Sequence, residues 1–156
     1  MDTPTDAREK KQPRVLFAIF LLFFGGMLLV GGIRGLVDDK QRVVTPRGTI
    51  HAEFVTTPEL QRLGLSGREE ISRDDGMMFV FDNETTERCF WMKGMNFAID
   101  MIWLDADKKV VFIKENATPE TYPESFCTDE PAQYVLEVVT GRAAQLGIEE
   151  GVELRF

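Results

Sequence analysis

Histidine and cysteine are nearly absent from this chain. His51 is the only histidine among 156 residues, and Cys89 and Cys127 are the only cysteines. One histidine does not complete a common zinc set, which draws on several His, Cys or carboxylate ligands. No metal or cofactor is therefore expected. A nucleophilic cysteine would need His51 as its base, and nothing in the sequence places the two together. Positive charge is also scarce in the larger part of the chain. Residues 43–156 hold 11 Lys/Arg against 21 Asp/Glu, a net of −10, whereas residues 1–42 hold seven against five, a net of +2. Phosphate backbones are gripped by clustered cations, so this balance argues against nucleic acid as a partner.

Residues 15–33 lack charge altogether: VLFAIFLLFFGGMLLVGGI. At about 1.5 Å rise per residue the run nearly spans a hydrocarbon core of about 30 Å. It has no polar face, and it is longer than the apolar region of a secretory signal. The expected organisation is a cytoplasmic tail (1–14), an uncleaved transmembrane anchor (15–37), a polar linker (38–47) and a soluble β domain (48–156). Arg8, Lys10, Lys11 and Arg14 precede the span, and Arg34, Lys40, Arg42 and Arg47 follow it. That count is even, but a short cationic amino terminus usually stays in the cytoplasm. The domain is thus expected outside the cytoplasm. Both cysteines would then face an oxidising compartment, where an even number suggests a disulfide; two buried free thiols are the alternative.

Within the domain, the period-two pattern of Gly48–Val55 predicts a half-buried strand. Thr57 as a cap, Pro58 at the first helical position and Glu59 in the first turn predict a helix start, with Leu60, Leu63 and Leu65 as its apolar stripe and Gly64 as its stop. Strands are also expected at 77–81, 89–93, 97–104, 110–114, 134–139 and 152–156, and a short helix after Gly141. Residues 115–131 read as a long mobile loop. Tight turns join most of the strands. The fold expected is mainly β, a compact antiparallel sandwich or partly closed barrel of about seven strands with two short helices.

The stretch from Cys89 to Leu104 organises the rest, with both tryptophans and a lysine and aspartate set among apolar neighbours. Trp91 and Lys93 alternate onto one strand face, Phe90 and Met92 onto the other. Packing is the first reading of the Trp91 face; a platform that stacks a sugar or a peptide is the second. Asp100 and Glu137 each fall on an apolar strand face, where a carboxylate is costly unless paired. Arg68 is the cation expected to meet one or both, as a buried pair whose breakage costs about 3–5 kcal/mol. The chemical alternative makes Asp100 and Glu137 a general acid and base tuned by Arg68.

Gly64-Leu65-Ser66-Gly67-Arg68, Asp75-Gly76-Met77-Met78-Phe79-Val80-Phe81, Phe90-Trp91-Met92-Lys93, Ile99-Asp100-Met101-Ile102 and Tyr134-Val135-Leu136-Glu137-Val138 occur in this order. Together they resemble the Domain of Unknown Function 192 family over residues 48–156. The resemblance implies a compact, mostly β prokaryotic domain, often behind an export signal or anchor, with no established activity. Its recurrent polar positions match Arg68, Trp91, Lys93, Asp100 and Glu137. Gly94-Met95 and Ala98 depart from the Asn-Thr and Pro usual there. The function expected is a non-catalytic binding or accessory module of the cell envelope, with an envelope polymer or a membrane protein as partner. The alternative is a small metal-independent hydrolase using Asp100 and Glu137 with Arg68.

Overall fold

The computed structural model describes residues 40–156. The expected tail and anchor lie outside the described residues, as do the first two positions of the linker. Among the described residues, no helix is long and apolar enough to cross a membrane.

Most of the expected linker is a strand. β1 (Lys40–Thr45) turns through Pro46-Arg47 and pairs antiparallel with β2 (Gly48–Val55). Val43 is wholly buried by this pairing. The helix α1 (Pro58–Leu63) starts where expected: Thr57 Oγ1 accepts from the Leu60 N–H at 3.4 Å, with Pro58 behind it. Gly64, at φ +52°, stops it. The expected stripe, however, is not buried. Leu60 and Leu63 are exposed, and only Leu65, beyond the helix, enters the core. Six residues make too short a helix to gain much from burying a face.

α1 carries the chain across to β3 (Asp75–Thr85), which lies parallel to β2, with His51 opposite Asp75 and Val55 opposite Phe79. This one crossover makes the sheet mixed, where an antiparallel arrangement was expected. β4 (Cys89–Trp91) leaves the sheet. β5 (Ile99–Leu104) and β6 (Val110–Ala117) return to it as a hairpin, closed by Asp105 Oδ1 accepting from the Lys109 N–H at 2.8 Å. β8 (Ala132–Val139) then inserts between β3 and β5. The result is a six-stranded sheet ordered β1-β2-β3-β8-β5-β6, with a separate two-stranded ribbon of β4 and β7 (Ser125–Cys127). It is a layered mixed sheet, not a sandwich or barrel.

The central strands β3, β5 and β8 are apolar on both sides because both sides are covered. One face buries Ile50, Met78, Ile102, Leu104, Leu136 and Val138 under α2 (Arg142–Leu146) and Leu154 near the carboxyl terminus. The other buries Met77, Phe79, Met101, Trp103 and Val135 under Leu65, Met92, Met95 and Phe126. Gly76 lets β3 and β8 approach: a Cβ there would meet the Glu137 carbonyl oxygen at 2.8 Å. The stretch 115–131, expected as a loop, holds a 3-10 turn (Pro119–Thr121) and β7, which pairs with β4. Val152–Phe156 forms no continuous strand. It makes single bridges, Glu153 to Lys109 and Arg155 to Val44, and the latter caps the β1 edge.

Candidate functional site

The ribbon sits where Cys89 and Cys127 stand opposite each other, and they form a disulfide. Strand alternation then decides the fate of the neighbouring side chains. Phe90 turns inward, edge-on to Phe79 at 4.8 Å and to Trp103 at 5.9 Å between ring centres. Met92 is fully buried beside it. Trp91 and Lys93 turn outward, and Trp91 is 54% exposed, with Tyr122 edge-on at 6.5 Å. The first reading of the Trp91 face, as packing, is thereby corrected. A three-residue strand on the outside of the domain buries only one of its two faces.

Asp100 and Glu137 lie on opposite faces of the sheet. In the β5–β8 register Asp100 stands beside Val138, and Glu137 beside Met101. Residues opposite one another share a face, and successive residues alternate. The two carboxyls therefore cannot work as one acid–base pair. Asp100, 1% exposed, accepts from the backbone N–H groups of Asn116 at 3.0 Å and Ala143 at 3.1 Å. It ties the end of β6 and the start of α2 to the sheet, an architectural task.

Arg68 meets neither carboxyl directly. Its guanidinium forms a two-pronged pair with Glu53, at 2.6 and 2.7 Å. Those bonds hold the Glu53 carboxyl below its ordinary range, and burial opposes them only in part. Glu53 was not among the residues singled out from the sequence. Its signal was present in the alternation of β2, which puts it on the same side as Val55. Both partners are more than one-third exposed, so the pair is not the buried bridge expected.

Glu137 is left over. It is 5% exposed and has no hydrogen-bond or ion-pair partner among the described residues. Glu53, Met77, Glu137 and Met101 form one row across β2, β3, β8 and β5. Burial raises the Glu137 carboxyl from 4.5 to about 8, and the field of Arg68 offsets this only in part. Desolvation wins because the fork of Arg68 is spent on Glu53. At neutral pH Glu137 is mostly a neutral acid.

Glu137 lines a cleft of about 280 Å³ between the turn after α1 and β4, with Leu65, Phe79, Phe90 and Met95 as apolar walls and Leu63 and Trp91 at the exposed rim. Three hydrogen bonds clasp the two loops that close one side. Gly67 N–H donates to Gly94 O at 2.8 Å, Ser66 Oγ to Lys93 O at 2.8 Å, and Asn96 Nδ2 to Arg68 O at 2.8 Å. Gly94, at φ +70°, allows that turn. Arg88 also borders the cleft. Its guanidinium lies 3.6 Å from the centre of the Phe81 ring and donates to Asn83 O at 2.7 Å, and desolvation lowers its pKa. Among the described residues, no group of three or more His, Cys, Asp or Glu side chains is placed to hold a metal ion.

Fold and site define a mainly β domain: a mixed six-stranded sheet with a disulfide-linked ribbon folded over an acid-floored aromatic cleft. The chain belongs to the DUF192 family, described as an "Uncharacterized ACR", whose model matches residues 42–156. Two crystal structures are similar to it. One, from Sinorhizobium meliloti 1021 and provisionally described as a transcription regulator, is 30% identical over 73% of this chain and 89% of its own, with a TM-score of 0.67. The other, a protein of unknown function from Novosphingobium aromaticivorans DSM 12444, is 30% identical over 74% of this chain and 82% of its own, with a TM-score of 0.66. No curated protein matches the chain.

Proposed function

We propose that this chain is a non-catalytic binding module of the cell envelope, anchored by residues 15–37 with its β domain outside the cytoplasm. Its ligand, a segment of an envelope polymer or of a membrane protein, enters the cleft under Trp91. The observation that carries this reading is the unpartnered Glu137 carboxyl at the floor of an apolar cleft whose rim holds a half-exposed tryptophan. Apolar walls with a few convergent polar groups are what small binding sites require. A half-exposed indole at the rim offers a face on which a ligand can stack. The disulfide agrees with an oxidising compartment. The hydrolase alternative loses its chemistry, because Asp100 and Glu137 face opposite sides of the sheet. The description of the Sinorhizobium meliloti protein as a regulator does not favour DNA binding here, since a net charge of −10 over residues 43–156 repels phosphate.

The test is a titration of the full chain followed through the Trp91 indole N–H resonance, with envelope glycan fragments and short peptides added in turn. A binding module gives a saturable shift with at least one class, and Trp91→Ala weakens that binding by about tenfold or more while leaving the fold intact. An indole signal that no fragment moves removes the reading. Orientation is checked by labelling intact cells, after reduction, with a membrane-impermeant thiol reagent. Cys89 and Cys127 are both exposed, so an outward domain reacts without lysis.

A further inference from the structure

We infer that the cleft receives a primary ammonium at the tip of an unbranched alkyl stem, the chemistry of a lysine side chain, which pairs with the Glu137 carboxyl. The inference rests on the binding-module reading and names its ligand class. It starts from a count of charges at the floor. The row across β2, β3 and β8 holds two carboxyls, Glu53 and Glu137, and the guanidinium that reaches it, Arg68 from the turn after α1, is bonded to Glu53 through both prongs. Asp75, the next acid on this side, is paired with Lys40 at 3.0 Å. Among the described acids of this row and its neighbour Asp75, Glu137 is the one without an ion pair, and only the field of Arg68 reaches it.

The remaining charged groups near the cleft do not supply one. Arg62, on the last turn of α1, is exposed to solvent, as is Glu87. Arg88 is held over Phe81 and bonded to Asn83 O. Phe81 is four residues along β3 from Met77, the residue opposite Glu137. At about 3.3 Å per residue that separates the two levels by roughly 13 Å. The four-carbon stem of a lysine carries its ammonium roughly 6 Å from the Cα. It is short enough to lie along Phe79, Phe90 and Met95, which line the cleft with Glu137, while Arg88 borders the same cleft. Alkyl stems bury well along such walls while their charged head seeks a polar partner. The indole at the rim adds attraction for a passing cation, and the acidic domain raises the local concentration of cations.

Proton linkage gives the inference its signature. Free Glu137 titrates near 8, so at pH 7 only about one-tenth of the molecules present a carboxylate, and ammonium binding must draw on that fraction. Affinity should rise roughly tenfold from pH 7 to pH 9 and then level off. A ligand that instead accepts a hydrogen bond from the neutral acid would bind best below pH 8 and weaken above it. The flanking Glu53–Arg68 pair keeps its charge throughout this range.

The experiment uses the full chain and four probes: Nα-acetyl-lysine methylamide, Nα,Nε-diacetyl-lysine methylamide, Nα-acetyl-norleucine methylamide and n-pentylammonium. Binding is read from the Trp91 indole N–H and from the carboxyl carbon of Glu137, assigned by its loss in Glu137→Gln. The lysine probe is expected to bind at least tenfold tighter than the norleucine and diacetyl-lysine probes. It should move the Glu137 titration downward by at least one pH unit and lose its advantage over norleucine in Glu137→Gln. Should Glu137→Gln fail to fold, Glu137→Met serves, and it should prefer the norleucine probe. Equal binding by n-pentylammonium assigns the site to amines in general; tighter binding by the blocked lysine assigns it to protein lysines. Preferential binding of diacetyl-lysine or norleucine by the wild type overturns the ammonium assignment and leaves the cleft a binding site. Silence towards all four probes and towards glycan fragments removes both readings.

Discussion

Replacing Glu137 by glutamine should flatten the pH dependence of the domain's stability. Burial lifts this carboxyl from 4.5 to about 8. Between those values the unfolded chain has released a proton that the folded chain still holds. The stability associated with the neutral acid is complete below about pH 4.5 and is lost steadily as pH rises to about 8. Above that the folded state ionises too and the slope vanishes. At about 1.4 kcal/mol per unit the whole loss is about 5 kcal/mol, of which about 4 kcal/mol falls between pH 5 and pH 9. Glu137→Gln keeps the shape of the side chain and removes the titration. The unmet hydrogen bonds of the amide cost about 1–3 kcal/mol, but that cost does not vary with pH and cancels from the slope. Urea denaturation at pH 5 and pH 9, read by the fluorescence of the buried Trp103, gives each protein's change in stability. The wild type should lose about 4 kcal/mol more than the variant over this interval. Equal losses, within about 1 kcal/mol, would mean that Glu137 is hydrated and ordinary, and the account of the cleft floor would be wrong.

Arg68→Ala should cost only about 1 kcal/mol in the same assay, because its pair with Glu53 is more than one-third exposed on both sides and is screened by solvent; it should also move the Glu137 titration further up, since Arg68 is the one charge lowering it. Asp100→Ala should cost about 2–4 kcal/mol by leaving the Asn116 and Ala143 N–H groups without an acceptor, and a denaturation midpoint like the wild type's would refute that assignment. Reduction of Cys89–Cys127, 38 residues apart in sequence, should lower stability by about 4 kcal/mol on loop-closure grounds, read as the difference in denaturation midpoint with and without reductant.

Three kinds of feature were legible in the residues alone. Alternation placed β2, and runs apolar on both faces placed the core strands β3, β5 and β8 near their observed positions, because burial on one face or two leaves its mark on every residue of a strand. Thr57-Pro58 and Gly64 marked both ends of α1 through local backbone chemistry. The ordered motifs pointed to the family. β1 was hidden in polar sequence: only Val43 and Thr45 of its six residues are buried, and an edge strand needs little more. The parallel pairing of β2 and β3 was missed because α1 is only six residues long and its leucines gave a stripe that packs nowhere. The ribbon of β4 and β7 was missed because pairing between residues 38 apart is not written in either segment.

The sequence by itself determined which side chains alternate together, where the chain turns, and that Asp100 and Glu137 would each sit on an apolar face. Those outcomes depend on neighbours within a few residues. The tertiary structure alone decided that the two carboxyls part to opposite sides of the sheet, that Arg68 joins Glu53, and that Trp91 faces outward. Each of these follows from which strands lie side by side, and a sheet ordered β1-β2-β3-β8-β5-β6 brings together residues that the chain itself keeps far apart. Glu137 is an unpaired acid because the nearest guanidinium was claimed by a strand two places away.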